Sequence, residues 1–289
     1  MIPSAFDYMR PTSLAEATRL LASHADDAKI LAGGHSLVPM MKLRLAAPKM
    51  LIDIGRLSEL SGIHEDNGTI VIGACTTHYA LETSALLRQR CPLLAETAAA
   101  IGDVQVRNRG TIGGSIAHAD PAADWPATIL ALDAEITLAQ RAGTRTVKAA
   151  DFFVDLLTTA MASNEILTEI RLPANAPRTG SAYLKVPQPA SGFALTGVAA
   201  QVTLGANNVL QRVAVGITGV SNTPFRASAT ESALQGQAAT PEALAQAASH
   251  AVEGIDALGD IHASADYRLH LARVYTKRAL QTALTRVQG

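Results

Sequence analysis

Lys29-Ile30-Leu31-Ala32-Gly33-Gly34-His35-Ser36-Leu37 runs from an apolar stretch straight into a glycine pair. A second pair lies in Thr111-Ile112-Gly113-Gly114-Ser115, which opens into Ile116-Ala117-His118-Ala119-Asp120-Pro121. Glycine lacks a Cβ and tolerates positive φ, so a Gly-Gly loop can turn successive backbone N–H groups toward one ligand. Such a nest binds anions. Two nests in one chain suggest a pyrophosphate held from both sides. A lone Gly-Gly is a weak signal, because most such pairs are plain turns. Here the two occurrences share more than glycine, since each leads into a serine and an apolar residue.

The elements around the first pair form a small unit over residues 1–55. Ser13 is placed to cap a helix, with Glu16 three residues on as in a capping box. Leu14, Ala17, Leu20 and Leu21 then recur at helical spacing, and the helix should end near His24. Lys29 to Leu31 reads as a strand, Val38 to Leu45 as a helix and Met50 to Ile54 as a second strand. That order is βαβ-like, with the nest after its first strand.

Residues 56–175 read as a second unit. Strands are expected at Thr69–Ala74, Glu135–Leu138 and Ile166–Leu172. Helices are expected from the Thr77 cap, over Pro92–Ile101 and over Ala127–Leu132. Pro173, Pro177, Pro187 and Pro189, interspersed with Gly180 and Gly192, then read as breaker chemistry and a domain junction. Residues 176–289 follow as a C-terminal unit. It has strands at Gly197–Leu204 and Gln211–Gly219, then helices at Ala227–Leu234, Pro241–Val252 and Ala265–Leu284. On the last helix, Leu269, Ala272, Leu280 and Leu284 lean to one face and the arginines to the other.

Composition narrows the function. The chain has 289 residues, 48% of them hydrophobic, enough for a sizeable core. A net charge of -1 argues against a general nucleic-acid binder, and 4% aromatic residues argue against a base-stacking platform. Cys75 and Cys91 are too few for a four-cysteine iron–sulfur or zinc site and read as buried, reduced thiols. No stretch reaches the ~18 apolar residues of a membrane span. The segment Met1 to Asp7 lacks the basic and apolar regions of a signal peptide, so a cytoplasmic protein is expected.

Neither Gly-x-Gly-x-x-Gly after a strand nor a Walker loop is present, so the dinucleotide proposal rests on the two nests. His118, Asp120 and Asp124 could be metal ligands, but no further strong ligand lies nearby. Hydrogen bonding to loop backbone, or ligand contact, is the preferred reading, with no metal site. His35 reads as a loop residue whose backbone N–H, not its ring, faces a phosphate. Arg107 and Arg109 could pair phosphates or simply be exposed before a turn. Lys185, in Tyr183-Leu184-Lys185-Val186, needs a partner for its charge. Trp125 reads as core.

The spelling of these segments is more specific than their physics. "AGGHSLVPMMKLRL" at 32–45, "LIDIGRLSEL" at 51–60 and "RNRGTIGGSIAHADPAADWPA" at 107–127 resemble the FAD-binding medium subunits of molybdenum hydroxylases. So do "PASGFALTGVAA" at 189–200, "GITGVSNTPFRA" at 216–227 and "SADYRLHLARVYTKRAL" at 264–280. The family includes the carbon monoxide dehydrogenase medium subunit and the xanthine dehydrogenase flavin domain. The resemblance implies an α+β, vanillyl-alcohol-oxidase-type (PCMH-type) FAD-binding fold. Two α/β subdomains enclose the dinucleotide, and a C-terminal α+β domain with a small antiparallel sheet and helices follows.

The resemblance also implies site residues. Ile30, Leu31, Ala32, Gly33, Gly34, His35, Ser36 and Leu37 form the first pyrophosphate loop, and Thr111, Ile112, Gly113, Gly114 and Ser115 the second. Asp124 matches an acidic residue that anchors the adenosine ribose or neighbouring backbone. Leu167 approaches the adenine end, Lys185 the flavin's polar edge, and Ile101 supplies an apolar contact. Phe193 stands where some relatives have a tyrosine that shields the flavin ring. No catalytic acid or base is demanded of this chain.

Partners follow from the same resemblance. A molybdopterin-binding large subunit and a [2Fe–2S] small subunit are expected, paired into a heterohexamer. The FAD of this chain, an oxidoreductase subunit, is expected to pass electrons to an external acceptor: a quinone, NAD, O₂ or a protein. Neither nucleic acid nor an integral membrane segment is expected. Three other readings compete: a self-sufficient FAD-dependent reductase of the same fold, a cofactor-free assembly subunit and a metal-dependent hydrolase using His118, Asp120 and Asp124. The substrate of the complex, whether carbon monoxide, an aldehyde, a purine or another N-heterocycle, is chosen in the large subunit.

Overall fold

A computed structural model describes residues 2–24 and 26–288; Met1, where the signal-peptide reading begins, lies outside them. The chain begins with β1 (Asp7–Met9), α1 (Leu14–Ser23), β2 (Ala28–Leu31), α2 (Leu37–Lys42) and β3 (Met50–Asp53). The three strands form a parallel sheet in the order β1-β3-β2. Ser13 caps α1 by accepting from the Glu16 N–H. The Glu16 carboxylate accepts from the Thr12 N–H and hydroxyl, so the box closes one residue earlier than expected. Ala17, Leu21, Ala28 and Ile52 bury the inner face of this unit. Hydropathy gives no sign of β1, because its three residues are all exposed on the sheet edge. The helix after the first glycine pair also ends sooner than its pattern suggests, at Lys42.

The second unit contains β4 (Ile63–Asp66), β5 (Thr69–Gly73), α3 (His78–Thr83), α4 (Ala85–Arg90), α5 (Pro92–Ala99) and α6 (Val104–Arg107). It continues with α7 (Ile112–His118), α8 (Trp125–Ala131), β6 (Glu135–Gln140) and β7 (Gly143–Lys148). The short pair β8 (Phe153–Asp155) and β9 (Thr158–Thr159) precedes β10 (Ile166–Pro173). The main sheet is antiparallel, ordered β4-β5-β10-β6-β7. Its apolar face and helices α3, α4, α5, α7 and α8 share one core that includes Ile72, Leu94, Ile116, Trp125 and Ile170.

The proline-rich segment is not an irregular junction. It holds β11 (Thr179–Pro187), nine residues paired along their whole length with β12 (Ala194–Leu204). The prolines sit where strands tolerate them. Pro173 closes β10, Pro187 closes β11 at a register shift, and Pro177 and Pro189 lie between strands. Next come β13 (Leu210–Thr218), β14 (Phe225–Arg226), α9 (Ser228–Leu234), α10 (Pro241–Ala248) and α11 (Ala265–Gln288). The four strands form an antiparallel sheet in sequence order.

The two faces of this sheet differ in kind. Val198, Val202, Val213, Val215 and Ile217 point to a core shared with α9 to α11. Alternate residues Tyr183, Ala199 and Ala214 point the other way, into the core around α5 and α8. Small residues on that second face let α8 approach closely. At Gly216 a Cβ would stand 1.9 Å from the Ala127 carbonyl oxygen. Arg212 and Arg226 then cross from the sheet to the last carbonyls of α8, at Ala131 and Leu130, and both pair with Asp133. Cations at a helix C-terminus satisfy its orphan carbonyls and its dipole. The arginines of α11 do not all face water: Arg268 is buried and bonds the Leu195 and Gly219 carbonyls and Asp260.

A methyl group at residue 216 has no room beside a helix backbone. Gly216→Ala should lower unfolding stability by about 1–3 kcal/mol or more, measurable as a reduced urea midpoint.

Candidate functional site

The first glycine pair works by two different devices. Gly34 has φ +76, a conformation that costs an L side chain. Gly33 lies outside that region and is glycine for space, since its Cβ would stand 2.1 Å from the Arg109 carbonyl oxygen. The two motifs, from different sheets, therefore touch backbone to backbone. Among the described residues, the N–H groups of Gly33, Gly34, His35, Ser36 and Leu37 donate to no intramolecular acceptor. Five consecutive free donors form the loop that leads from β2 into α2. Ser36 occupies the N-cap of α2 without a side-chain capping bond, and the exposed His35 ring turns back to the Gly33 carbonyl at 3.1 Å. Ile30, Leu31 and Ala32 are half-buried at the end of β2.

The second pair is not a loop. Gly113 and Gly114 lie in the first turn of α7, which Thr111 caps by accepting from the Gly114 N–H at 3.2 Å. The neighbouring donors are also used: Ile112 N–H bonds Thr76 O at 3.1 Å and Gly113 N–H bonds Ala74 O at 2.9 Å. Ile112 and Gly113 are buried, and Ser115 is half-buried one residue further on. The expectation of a second nest of free N–H groups is thus corrected. This motif contributes clearance instead. Gly114 is exposed, and a Cβ there would lie 3.9 Å from the Ala32 Cβ, with Thr111 Oγ1 closer still. One wall of the cleft is rich in donors and the other is bare backbone. Neither motif carries a carboxylate, which suits a dianionic diphosphate.

A second cluster lies where α5, α8 and β11 meet. Asp124 and Lys185 have side chains only 5% and 8% exposed and pair at 2.9 Å. Tyr183 donates its hydroxyl to the same Asp124 oxygen. Burial raises the Asp124 pKa, opposed first by the Lys185 charge and then by the Tyr183 and Lys185 hydrogen bonds. Burial, with the Asp124 charge beside it, holds the Tyr183 phenol well above its ordinary range. Lys185 also donates to Ala100 O at 2.6 Å and Gly192 O at 2.8 Å. Those carbonyls flank Ile101, which is half-buried, and Phe193, which is exposed. Leu167 is buried in the central core beside a register shift in β10.

The remaining candidates have other occupations. Arg107 pairs with Glu82 at 2.8 Å and bonds the Ile101 and Gly102 carbonyls. Asp120 accepts from the Ala122 N–H, and His118 ends α7. Among the described residues, no group of three His, Cys, Asp or Glu could hold a metal ion.

His78 is a site neighbour that no sequence motif marks. Its ring is buried, and Trp125 Nε1–H donates to its Nδ1 at 3.1 Å, which leaves the proton on Nε2. Its own N–H bonds Gly110 O, at the entry to the second motif. Burial lowers its pKa to about 4, with His35 and Arg107 pushing the same way. The one local clue is its place directly after Thr77, the cap of α3.

Comparison with known proteins matches this geometry. The family described as FAD binding domain in molybdopterin dehydrogenase covers residues 4–175. The CO dehydrogenase flavoprotein C-terminal domain covers residues 181–283. The carbon monoxide dehydrogenase medium chain of Hydrogenophaga pseudoflava is 44% identical over 286 residues, 99% of each chain. The 6-hydroxypseudooxynicotine dehydrogenase complex subunit alpha of Paenarthrobacter nicotinovorans is 38% identical, covering 100% of this chain and 97% of that one. A solved carbon monoxide dehydrogenase structure from H. pseudoflava superposes with a TM-score of 0.96 at 45% identity, covering 99% of each chain. The chain belongs to the FAD-binding medium subunits of molybdenum hydroxylases. It is an FAD-binding flavoprotein of an oxidoreductase complex, with the PCMH-type fold that its motifs lead one to expect.

Two measurements probe the site. Gly114→Val fills the cleft beside Ala32, so FAD uptake should be lost while thermal unfolding stays cooperative. The second concerns pH. The folded His78 pKa lies below its unfolded value, so the native state binds fewer protons there. Its contribution to stability is retained above pH 6.5 and is lost as pH falls toward 4, by up to about 3 kcal/mol. Urea midpoints at pH 7 and pH 4.5 should therefore differ less in His78→Gln than in the parent protein.

Proposed function

We propose that this chain is the electron-relay subunit of its complex, carrying one FAD across the cleft between the two glycine motifs. The observation that carries the proposal is the run of five free N–H donors, Gly33 to Leu37, facing the bare turn at Gly114. Free donors at that point stabilise a diphosphate by hydrogen bonding without reorganisation.

The residues divide the work. Ala32 to Leu37 hold the diphosphate, while Thr111 to Ser115 set the opposite wall. Leu167 stands at the adenine end, and Asp124 acts on its protein neighbours Tyr183 and Lys185 rather than on the ribose. Ile101 and Phe193 flank the flavin ring, where the phenylalanine supplies an apolar face without a hydroxyl. The chemistry that bound FAD supplies is transfer of electrons from partner [2Fe–2S] clusters to an external acceptor: a quinone, NAD, O₂ or a protein. This chain's share is to bind and orient the cofactor. The division into 1–55, 56–175 and 176–289 is supported by the three main sheets, one in each part.

The partners are a molybdopterin-binding large subunit and a [2Fe–2S] small subunit, in a heterohexamer. Cys75 and Cys91 support that division of labour. They are two buried thiols, both pushed up to about 12 by burial, and too few to ligate a cluster. The complex named for the nicotine-derived relative and the medium chain of the carbon monoxide enzyme support a multi-subunit setting.

The expressed full chain should be yellow, or become yellow with added FAD, and should release about one FAD per chain on denaturation. Colourless protein that takes up no added FAD would overturn the reading. The native complex should co-purify with molybdenum and iron, detectable by metal analysis.

A further inference from the structure

Lys185 is expected near a flavin edge, yet its ammonium has little left to offer a ligand. A lysine has three N–H donors. Three protein oxygens receive them: Asp124 Oδ1 at 2.9 Å, Ala100 O at 2.6 Å and Gly192 O at 2.8 Å. The side chain is nearly buried, and Asp124 neutralises its charge. The two carbonyls belong to segments with no ladder between them. Ala100 is the C-cap of α5 and precedes the corner Ile101-Gly102, where Gly102 has φ +47. Gly192, with φ +72, lies in the turn between β11 and β12 that presents Phe193. Among the described residues, that turn is otherwise closed on itself through Gln188, Ser191 and Phe193, with one outside tie from the Gln188 amide to the His262 ring.

We propose that Lys185 is a positioning residue whose ammonium ties the Ala100–Gly102 corner to the 188–193 turn, setting Ile101 and Phe193 as two walls of the flavin pocket without touching the flavin. The proposal rests on the reading above that Ile101 and Phe193 flank the ring. Asp124 acts from behind, by holding the cation over the two carbonyls. Arg107, bonded to the Ile101 and Gly102 carbonyls, holds the same corner from its other side.

The test uses the full chain, with and without FAD. Lys185→Met removes the staple but leaves Asp124 buried without its cation, so the fold itself could suffer. Lys185→Arg keeps the cation for Asp124, but a planar fork cannot face three converging oxygens. Without FAD, amide exchange at 100–102 and 191–193 should rise about tenfold in both variants, the scale of one lost charge-assisted hydrogen bond. Exchange in β11 and α8 should stay slow in Lys185→Arg. With FAD, that variant should keep the cofactor through gel filtration, while iodide quenches the bound flavin several-fold more strongly.

Unchanged exchange in both segments would overturn the staple. Loss of FAD from a folded Lys185→Arg chain with unchanged exchange would show direct flavin contact instead, which also overturns it. Wild-type chain that takes up no FAD would instead refute the underlying reading, and is told apart because the exchange result is obtained without the cofactor.

Discussion

Gly33 rests against the Arg109 carbonyl with no space for a methyl group between them, and the cleft depends on that contact. The parallel sheet delivers the first glycine motif to this point, and the connection from α6 to α7 delivers the second. Backbone packed on backbone sets their separation more strictly than side chains could, because no rotamer can adjust it. With that distance set, Gly34 turns the chain at φ +76, and among the described residues five N–H groups are left without an intramolecular acceptor. Gly114 then faces Ala32 across the gap. A larger residue at 33 would push the two walls apart before any ligand arrived.

The C-terminal sheet packs against the central unit. Its alanine- and glycine-bearing face seats α8, and two arginines grip that helix at its far end. At the near end, Asp124 meets Tyr183 and Lys185 of β11. Helix α8 is thereby held by the C-terminal unit at both ends, although it lies in the central unit by sequence. The segments at 100–102 and 188–193 converge on the same lysine. Stability and site geometry consequently share residues here, so a change at Lys185 or Asp124 acts on both.

Much of this was legible in local pattern. The Ser13 and Thr77 caps, the strand expected at 29–31, the long final helix and the apolar strands of the two antiparallel sheets announce themselves through spacing. The edge strand β1 escapes because an exposed three-residue edge has no hydropathic period. Strand β11 escapes because its bounding prolines and Gly180 imitate a linker; their permitted positions at strand ends emerge only from the pairing register. His78 escapes because a lone histidine after a cap says nothing about Trp125, 47 residues away.

The spelling of the six segments, the two glycine pairs among them, determined the family and the fold. Sequence could not say how each pair acts. Tertiary structure decided that the first pair exposes donors while the second spends its donors on Ala74, Thr76 and Thr111 and offers only clearance. It also decided that Asp124 and Lys185 neutralise one another. The physical reason is the same in both cases: a polar group's role depends on which partner saturates it, and those partners lie on other elements of the chain.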